Sequence, residues 1–396
     1  MPSATRRWEV LRVFVLLGMT SFGGPVAHLG YFRTEVVDRR GWLDDEAYAD
    51  LVALCQVLPG PASSQVAMAL GIIRAGPLGG LLAWLGFTLP SVAALLIFAL
   101  VVTEVEPTGA FGGALHGLKV VAVAVVAQAA WGMLRTLAPD PARATFAVAA
   151  AVVALIWPAV LAQVAIIAVA GLAGWLLLPA EAVRVRTTLA IPIGRRVAIA
   201  SLGLFVGLLV ALPLLRVTTG SPAIALVDAF FRSGALVFGG GHVVLPLLDA
   251  EVVAPGWLTE AQFLAGYGAA QAAPGPLFSI AAYLGAVRAE PPNGLAGGLL
   301  ALGAIYLPAV LLVAGAVPVW GLVRTHPAVR RALRGINAAV VGIVLASLYS
   351  PLFTSAILSP SDAGIALIAL LLLAGWRLPP WIVVLVCACA GAVYSR

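Results

Sequence analysis

The sequence predicts an all-α polytopic membrane protein: two homologous, inverted repeats with broken helices and about 11–13 membrane segments. Three observations carry that prediction. Hydrophobic residues make up 62% of the 396-residue chain and charged residues 10%, with a mean hydropathy of +1.06. A soluble domain carries about 25% charged residues, so this chain cannot cover a water-facing surface. Apolar runs long enough for a bilayer follow one another throughout, and the same glycine and proline breaks occur once in each half.

Residues 8–31 read as the first membrane helix. Arg6 and Arg7 precede it as in a secretory signal, but the run flows into Ser21-Phe22-Gly23-Gly24-Pro25 without a small-x-small cleavage site. Residues 47–73 form a second segment, broken at Pro59-Gly60-Pro61. Apolar stretches at 78–102, 115–137, 142–157 and 159–178 follow, then a basic loop and a linker helix at 197–215. The second half begins at residues 223–245, which contain Phe238-Gly239-Gly240-Gly241. Residues 259–287 are broken at Pro274-Gly275-Pro276, and stretches at 294–319, 333–349, 363–376 and 379–394 complete the chain. The expected organisation is a first repeat at 1–180, a basic loop and linker helix at 181–220, and a second repeat at 221–396.

The halves read as copies. Phe22-Gly23-Gly24 matches Phe238-Gly239-Gly240, and Gly41-Trp42-Leu43 matches Gly256-Trp257-Leu258. Gln56 with Pro59-Gly60-Pro61 matches Gln271 with Pro274-Gly275-Pro276, and Leu89-Pro90 matches Leu307-Pro308. Apolar helices do not keep register across glycines, prolines, glutamines and tryptophans by chance, so duplication is the stronger explanation. If every segment crosses, the linker helix puts an odd number of crossings between equivalent points, and the repeats are inverted. Basic residues support this. With the N-terminus inside, only Arg33, Arg39, Arg40, Lys119, Arg216, Arg232, Arg288 and Arg396 of the 23 fall on the outer side. If the two Pro-Gly-Pro segments re-enter without crossing, the parity changes and the argument fails.

Glycine and proline inside a helix free backbone N–H and C=O groups. In hydrocarbon such groups must be buried in protein or line a wet cavity. Paired breaks in corresponding positions of two halves are the pointer to a transporter's binding site. The candidate substrate-binding residues are therefore Ser21, Gly23, Gly24, Gln56, Gly60, Ser63 and Ser64 in the first half. In the second they are Gly239, Gly240, Gly241, His242, Gln271, Gly275 and Ser279, with Lys119 and Arg232 as intramembrane cations. A helix restarting after Pro-Gly-Pro presents N–H groups and the positive end of its dipole to an anion. His28 and His242 are candidates for proton coupling. The plainer readings are a packing kink for each Pro-Gly-Pro, snorkelling for Lys119 and Arg232, and satisfied packing for each histidine.

Other chemistries have less support. Four histidines and three cysteines show no metal-ligand spacing, Cys387 and Cys389 read as packing residues, and no phosphate-cradling Gly-x-x-x-x-Gly-Lys run occurs. Nothing in the spacing asks for Ser–His hydrolysis (Ser21 or Ser279 with His28 or His242). The expectation is no enzyme activity, no cofactor, no metal and no nucleic acid. Membrane lipid is the expected surrounding partner, and a homodimer is compatible with the sequence.

Phe22-Gly23-Gly24-Pro25 with Pro59-Gly60-Pro61, and Phe238-Gly239-Gly240-Gly241-His242 with Pro274-Gly275-Pro276, resemble the chromate ion transporter family in its long, two-domain form. The Gly41-Trp42 and Gly256-Trp257 pairs look like that family too, and the resemblance spans residues 8–394. It implies export of chromate from the bacterial cytoplasm across the inner membrane, with sulfate as the look-alike anion and halves of opposite orientation. One departure is Pro25 where the second half has Gly241, so the halves need not contribute equally. Moving a dianion outward against an inside-negative potential releases roughly 4.6 kcal/mol per 100 mV. The expected drive is therefore membrane potential, with proton motive force as a variant. A sulfate or other oxyanion transporter, a passive anion channel and a structural membrane subunit stay open as alternatives.

Overall fold

Glycine and proline decide where this chain turns. The computed structural model describes residues 4–22, 24–105, 108–157, 159–179, 193–238, 241–316 and 326–394, which are helical with no β-strand. Helix α1 (Ala4–Thr20) stops at Ser21, and α2 (Gly24–Arg33) leaves in the opposite direction from Gly24, whose φ of +77° is accessible to glycine. Phe14 and Phe32 meet edge-on, ring centroids 5.6 Å apart. Along one straight helix they would be about 27 Å apart. Residues 8–31 are thus a helical hairpin rather than one continuous span. A glycine break permits either outcome, and the packing of α2 onto α1 decides it.

The next stretch turns the same way. Helix α3 (Asp45–Val57) is capped by Asp44, whose carboxylate accepts the Ala47 N–H at 2.7 Å. It runs into Pro59-Gly60-Pro61, where Gly60 has φ +115°, and α4 (Ala62–Glu104) follows. Taken as one rod, the 43 residues of α4 would reach about 65 Å. Instead Ala75 and Gly76 leave helical torsions, and the chain reverses so tightly that Gly71 and Gly79 touch through their backbones.

The second half repeats this plan with α9 (Pro222–Ala235), α10 (Val244–Val252), α11 (Glu260–Ala272), α12 (Ile280–Ala286) and α13 (Gly294–Ala316). Arg232 on α9 reaches Glu251 on α10 at 3.0 Å, which makes residues 223–245 part of a hairpin as well. Tyr283 on α12 donates to the Gln262 carbonyl of α11 at 3.0 Å, and its ring fills the space beside Gly266. Residues 259–287 therefore fold back at Pro274-Gly275-Pro276. The torsions entering the two corners agree: −70°, 143° at Leu58 and −73°, 139° at Ala273. Gly285 and Gly297 then touch as Gly71 and Gly79 do.

The remaining helices are α5 (Gly109–Leu137), α6 (Pro141–Ile156), α7 (Val160–Leu177), α8 (Arg195–Thr219), α14 (Pro327–Ser347), α15 (Pro360–Leu370) and α16 (Pro380–Tyr394). Asp140 caps α6, and the Arg143 amide and guanidinium hold its carboxyl below the usual range. Helix α5 packs on α15 and α16 of the other half, and α14 packs on α6 and α7. Small residues allow the close crossings: Gly117 lies on the Cys387 backbone, Gly391 on Gly113, and Gly335 on Ala170 and Gly174. The halves are interleaved, not merely side by side. Among the described residues, α4, α5, α8, α13 and Pro327–Ala356 are long and apolar enough to cross a bilayer, and α6, α7, α15 and α16 are shorter apolar helices.

Candidate functional site

Four hairpin tips meet inside the protein. The Gly60 N–H donates to the Val237 carbonyl at 2.7 Å, and the Gly275 N–H donates to the Ser21 carbonyl at 2.9 Å. These bonds are repeat equivalents, because Gly60 corresponds to Gly275 and Ser21 to Val237. Each Pro-Gly-Pro corner of one half is thus tied to the unwound tip of the other, and the centre has local twofold symmetry. Both corners need glycine at their positive φ. A Cβ on Gly275 would also lie 3.0 Å from the Phe87 carbonyl oxygen and 3.1 Å from Ser91 Oγ.

Behind the tips lies a set of buried hydroxyls. Tyr306 Oη on α13 faces the hydroxyls of Ser64, Thr88 and Ser279, yet no hydrogen bond is completed at Tyr306, Ser64 or Thr88. Ser279 Oγ is 2.6 Å from Ser91 Oγ, which in turn donates to the Thr88 carbonyl at 2.9 Å. Ser64 with Ser279, and Thr88 with Tyr306, are repeat-related pairs, so the cluster straddles the local twofold. Ser21 Oγ, at the first tip, is fully buried and also lacks a protein partner. Buried hydroxyls are ordinarily hydrogen-bonded. Several unsatisfied ones together are what a polar ligand or water requires.

The arrangement brings together most of the sequence candidates. Ser21, Gly60, Ser63, Ser64, Gly275 and Ser279 are at or just behind the tips. Gly24 begins α2, and Gly241 approaches Pro25, its would-be Cβ 3.3 Å from the proline Cγ. His28 is buried with Nδ1 3.4 Å from Ser63 Oγ, Nε2 unpartnered and its ring edge-on to Phe87. His242 Nδ1 pairs with Tyr267 Oη at 2.8 Å, and Gln271 lies beside that tyrosine. Gly23, Gly239 and Gly240 lie outside the described residues.

Three candidates are elsewhere. Gln56 is exposed, and Lys119 on α5 lies in the field of Glu260. Arg232 is held by Asp228 at 2.8 Å and Glu251 at 3.0 Å, with Arg216 completing the cluster at the base of the α9–α10 hairpin. Sequence reasoning missed Gln65, whose Nε2 donates to the Pro59 carbonyl at 2.7 Å and braces the corner. It also missed Thr88, Ser91 and Tyr306. Thr88 and Tyr306 each precede a Leu-Pro at equivalent positions of the two halves, and two hydroxyl residues in register are the signal the sequence offers. An open cleft of about 470 Å³ beside His116 and Asp362 shares no residue with the tips.

Comparison with known proteins now bears on this geometry. A family model described as "Chromate transporter" matches residues 8–175 and again residues 224–392. The chain belongs to the chromate transporter family. It is 30% identical over 344 residues to the chromate transport protein of Pseudomonas aeruginosa, covering 84% of this chain and 77% of that one. To the chromate transport protein of Cupriavidus metallidurans it is 28% identical over 356 residues, covering 87% and 82%. To a probable chromate transport protein of Synechococcus elongatus it is 25% identical over 403 residues, covering 98% and 95%. No solved structure gives a significant match. Membership in this chromate transporter family makes the chain a membrane transport protein and not an enzyme.

The transporter's two halves differ at their hairpin bases. In the first, Arg74 lies over Trp42 (5.4 Å to the centroid) and makes two bonds, 3.1 and 2.9 Å, to one Glu9 oxygen. In the second, Arg288 lies over Trp257 at 4.3 Å, but the position equivalent to Glu9 is Ala225.

Proposed function

We propose that this transporter exports chromate from the cytoplasm, with the ion bound at the local twofold between the four tips. The observation that carries the reading is the pair of reciprocal tip bonds enclosing repeat-related hydroxyls, of which Ser64, Thr88 and Tyr306 complete no hydrogen bond within the protein. A tetrahedral oxyanion has twofold axes of its own, each exchanging its oxygens in pairs. Two symmetry-related sets of donors suit such an ion. The starts of α4 and of the turn before α12 add backbone N–H groups, and the glycine corners let main chain approach closely.

The hairpins bear on orientation. If both hairpins of a half re-enter without crossing, the crossing helices are α4 beyond Gly76, α5, α6 and α7, then α8, then α13 to α16. An odd number still separates equivalent points, so the halves are inverted and their tips approach the centre from opposite sides. With the N-terminus inside, Arg33, Arg39 and Arg40 then return to the inner side. Only Lys119, Arg216, Arg232, Arg288 and Arg396 of the 23 basic residues stay outside, a stronger inside bias than the continuous-span reading gives. Rocking of one half against the other would expose the centre alternately. Outward movement of negative charge is favoured by about 2.3 kcal/mol per charge per 100 mV, enough to drive export from a bacterial inner membrane.

The test is flux of labelled chromate in proteoliposomes holding the purified chain. Saturable uptake into inside-positive vesicles against a chromate gradient supports a potential-driven carrier. Flux that rises linearly with chromate and does not saturate would make it a channel. Full displacement of chromate by equimolar sulfate would transfer the reading to sulfate.

A further inference from the structure

We infer a second oxyanion site at the base of the second pair of hairpins, where Arg288 takes the oxygens of an external anion in place of the carboxylate that the first half supplies from its own chain. Its place on the outer face rests on the orientation proposed above; its chemistry does not.

The internal repeat carries the inference. Arg74 and Arg288 are repeat equivalents, and each lies over the tryptophan of an equivalent Gly-Trp pair. Arg74 has a side chain 32% exposed and still makes two bonds, 3.1 and 2.9 Å, to one Glu9 oxygen. Arg288 has a side chain only 3% exposed, and fewer partners. Its Nη1 donates to the Pro222 carbonyl at 3.4 Å, and its buried Nε has no acceptor. Among the described residues the carboxylate nearest Arg288 is Glu290, 3.9 Å from Nη2 on a side chain that is 78% exposed. Burial removes water from a guanidinium, so one without a fixed carboxylate calls for another anion. At the position of Glu9 the second half has Ala225, a methyl in place of a carboxylate, and that residue is half-buried and thus within reach of solvent.

The other ionic groups of this base are committed elsewhere. Arg232 holds Asp228 at 2.8 Å and Glu251 at 3.0 Å, and Arg216 is 3.3 and 3.5 Å from the same two. Asp249 and Glu260 lie in each other's field, with Lys119 of α5 acting on Glu260. Among the described residues none of these four carboxylates is within ion-pair distance of Arg288. Arg216 also lies against Trp257, its Cζ 5.9 Å from the ring centroid, so two guanidiniums flank one indole. The planar fork of a guanidinium matches two oxygens of a tetrahedral oxyanion or phosphate group. Two sources carry that chemistry at an outer face: the ion released from the tips, and the phosphate of a lipid headgroup.

The test counts bound ions by equilibrium dialysis of labelled chromate against the full chain, purified in a sugar-headgroup detergent and stripped of lipid. Wild type should bind two ions per chain and Ala225→Glu one, the new carboxylate standing to Arg288 as Glu9 does to Arg74. Arg288→Gln should weaken the outer ion about 10- to 100-fold. Glu290→Gln should tighten it about 2- to 5-fold by removing a repelling charge. Dialysis and native mass spectrometry of protein kept in phosphatidylglycerol separate the sources. Two chromate ions bound with lipid present assign the site to the free ion. One retained phospholipid per chain, released by Ala225→Glu and blocking the second chromate until it is stripped, assigns it to a headgroup. One ion in wild type and none in Ala225→Glu keeps this site and removes the ion from the tips instead. Equal counts of ion and lipid in wild type, Ala225→Glu and Arg288→Gln overturn the proposal. So does a Glu290→Gln protein that binds the outer ion no better and melts several degrees lower, since Arg288 would then be paired within the chain.

Discussion

Replacing Gly275 by alanine tests the corner on which the reading depends. At φ +99° an alanine is strained by about 1–3 kcal/mol. Its Cβ would also lie 3.0 Å from the Phe87 carbonyl and 3.1 Å from Ser91 Oγ, neither of which is the free end of a long side chain. Relief requires the corner to retreat, which weakens the 2.9 Å bond from Gly275 N–H to the Ser21 carbonyl, worth a further 0.5–1.5 kcal/mol. The combined perturbation is about 2–4 kcal/mol, concentrated at the tips. A retreat of about 1 Å is enough to lower transport on the order of 100-fold, by analogy with misplaced catalytic groups. The assay pairs initial chromate flux in proteoliposomes with melting temperature and elution volume in detergent. Gly203→Ala on α8 is the control, because no atom lies within 4 Å of the added methyl. A folded Gly275→Ala protein with wild-type flux would refute the role given to the corner.

Other substitutions separate binding from folding. Tyr306→Phe removes a hydroxyl that completes no bond within the protein, so melting temperature should hold while Km for chromate rises about 5- to 100-fold, the loss of one hydrogen bond to a charged group; an unchanged Km would place the ion elsewhere. Arg232→Gln leaves the fully buried Asp228 with Arg216 alone. It should destabilise by about 3–5 kcal/mol, read as lost folded yield, with partial rescue by Asp228→Asn; a stable single variant with raised Km would return Arg232 to the binding site. Ala225→Glu places beside Arg288 the carboxylate that Glu9 gives Arg74, and should raise stability by about 1 kcal/mol in thermal melts; a lower melting temperature would show that Asp228 and Glu251 repel it. Gln65→Ala frees the Pro59 carbonyl and should slow flux more than it lowers the melting temperature; equal flux would leave Gln65 a packing residue.

The chain's own order of residues was enough to establish a membrane-embedded helical protein, its duplication, and the special status of Gly60 and Gly275. Those follow from composition, from register between halves and from the torsions only glycine adopts freely. Where residues 8–31 and 223–245 turn back could not be read in the same way. A glycine break frees backbone groups without naming their partners, and only Phe14 against Phe32, or Arg232 against Glu251, turns a kink into a hairpin. The bond from Gly60 to Val237 joins residues from opposite halves of the chain, and the gathering of Ser64, Thr88, Ser279 and Tyr306 needs α4, α13 and the turn before α12 already packed. Tertiary structure alone decided these, because a hydrogen bond is set by distance in space, and spacing along the chain carries that information only within one helix or turn.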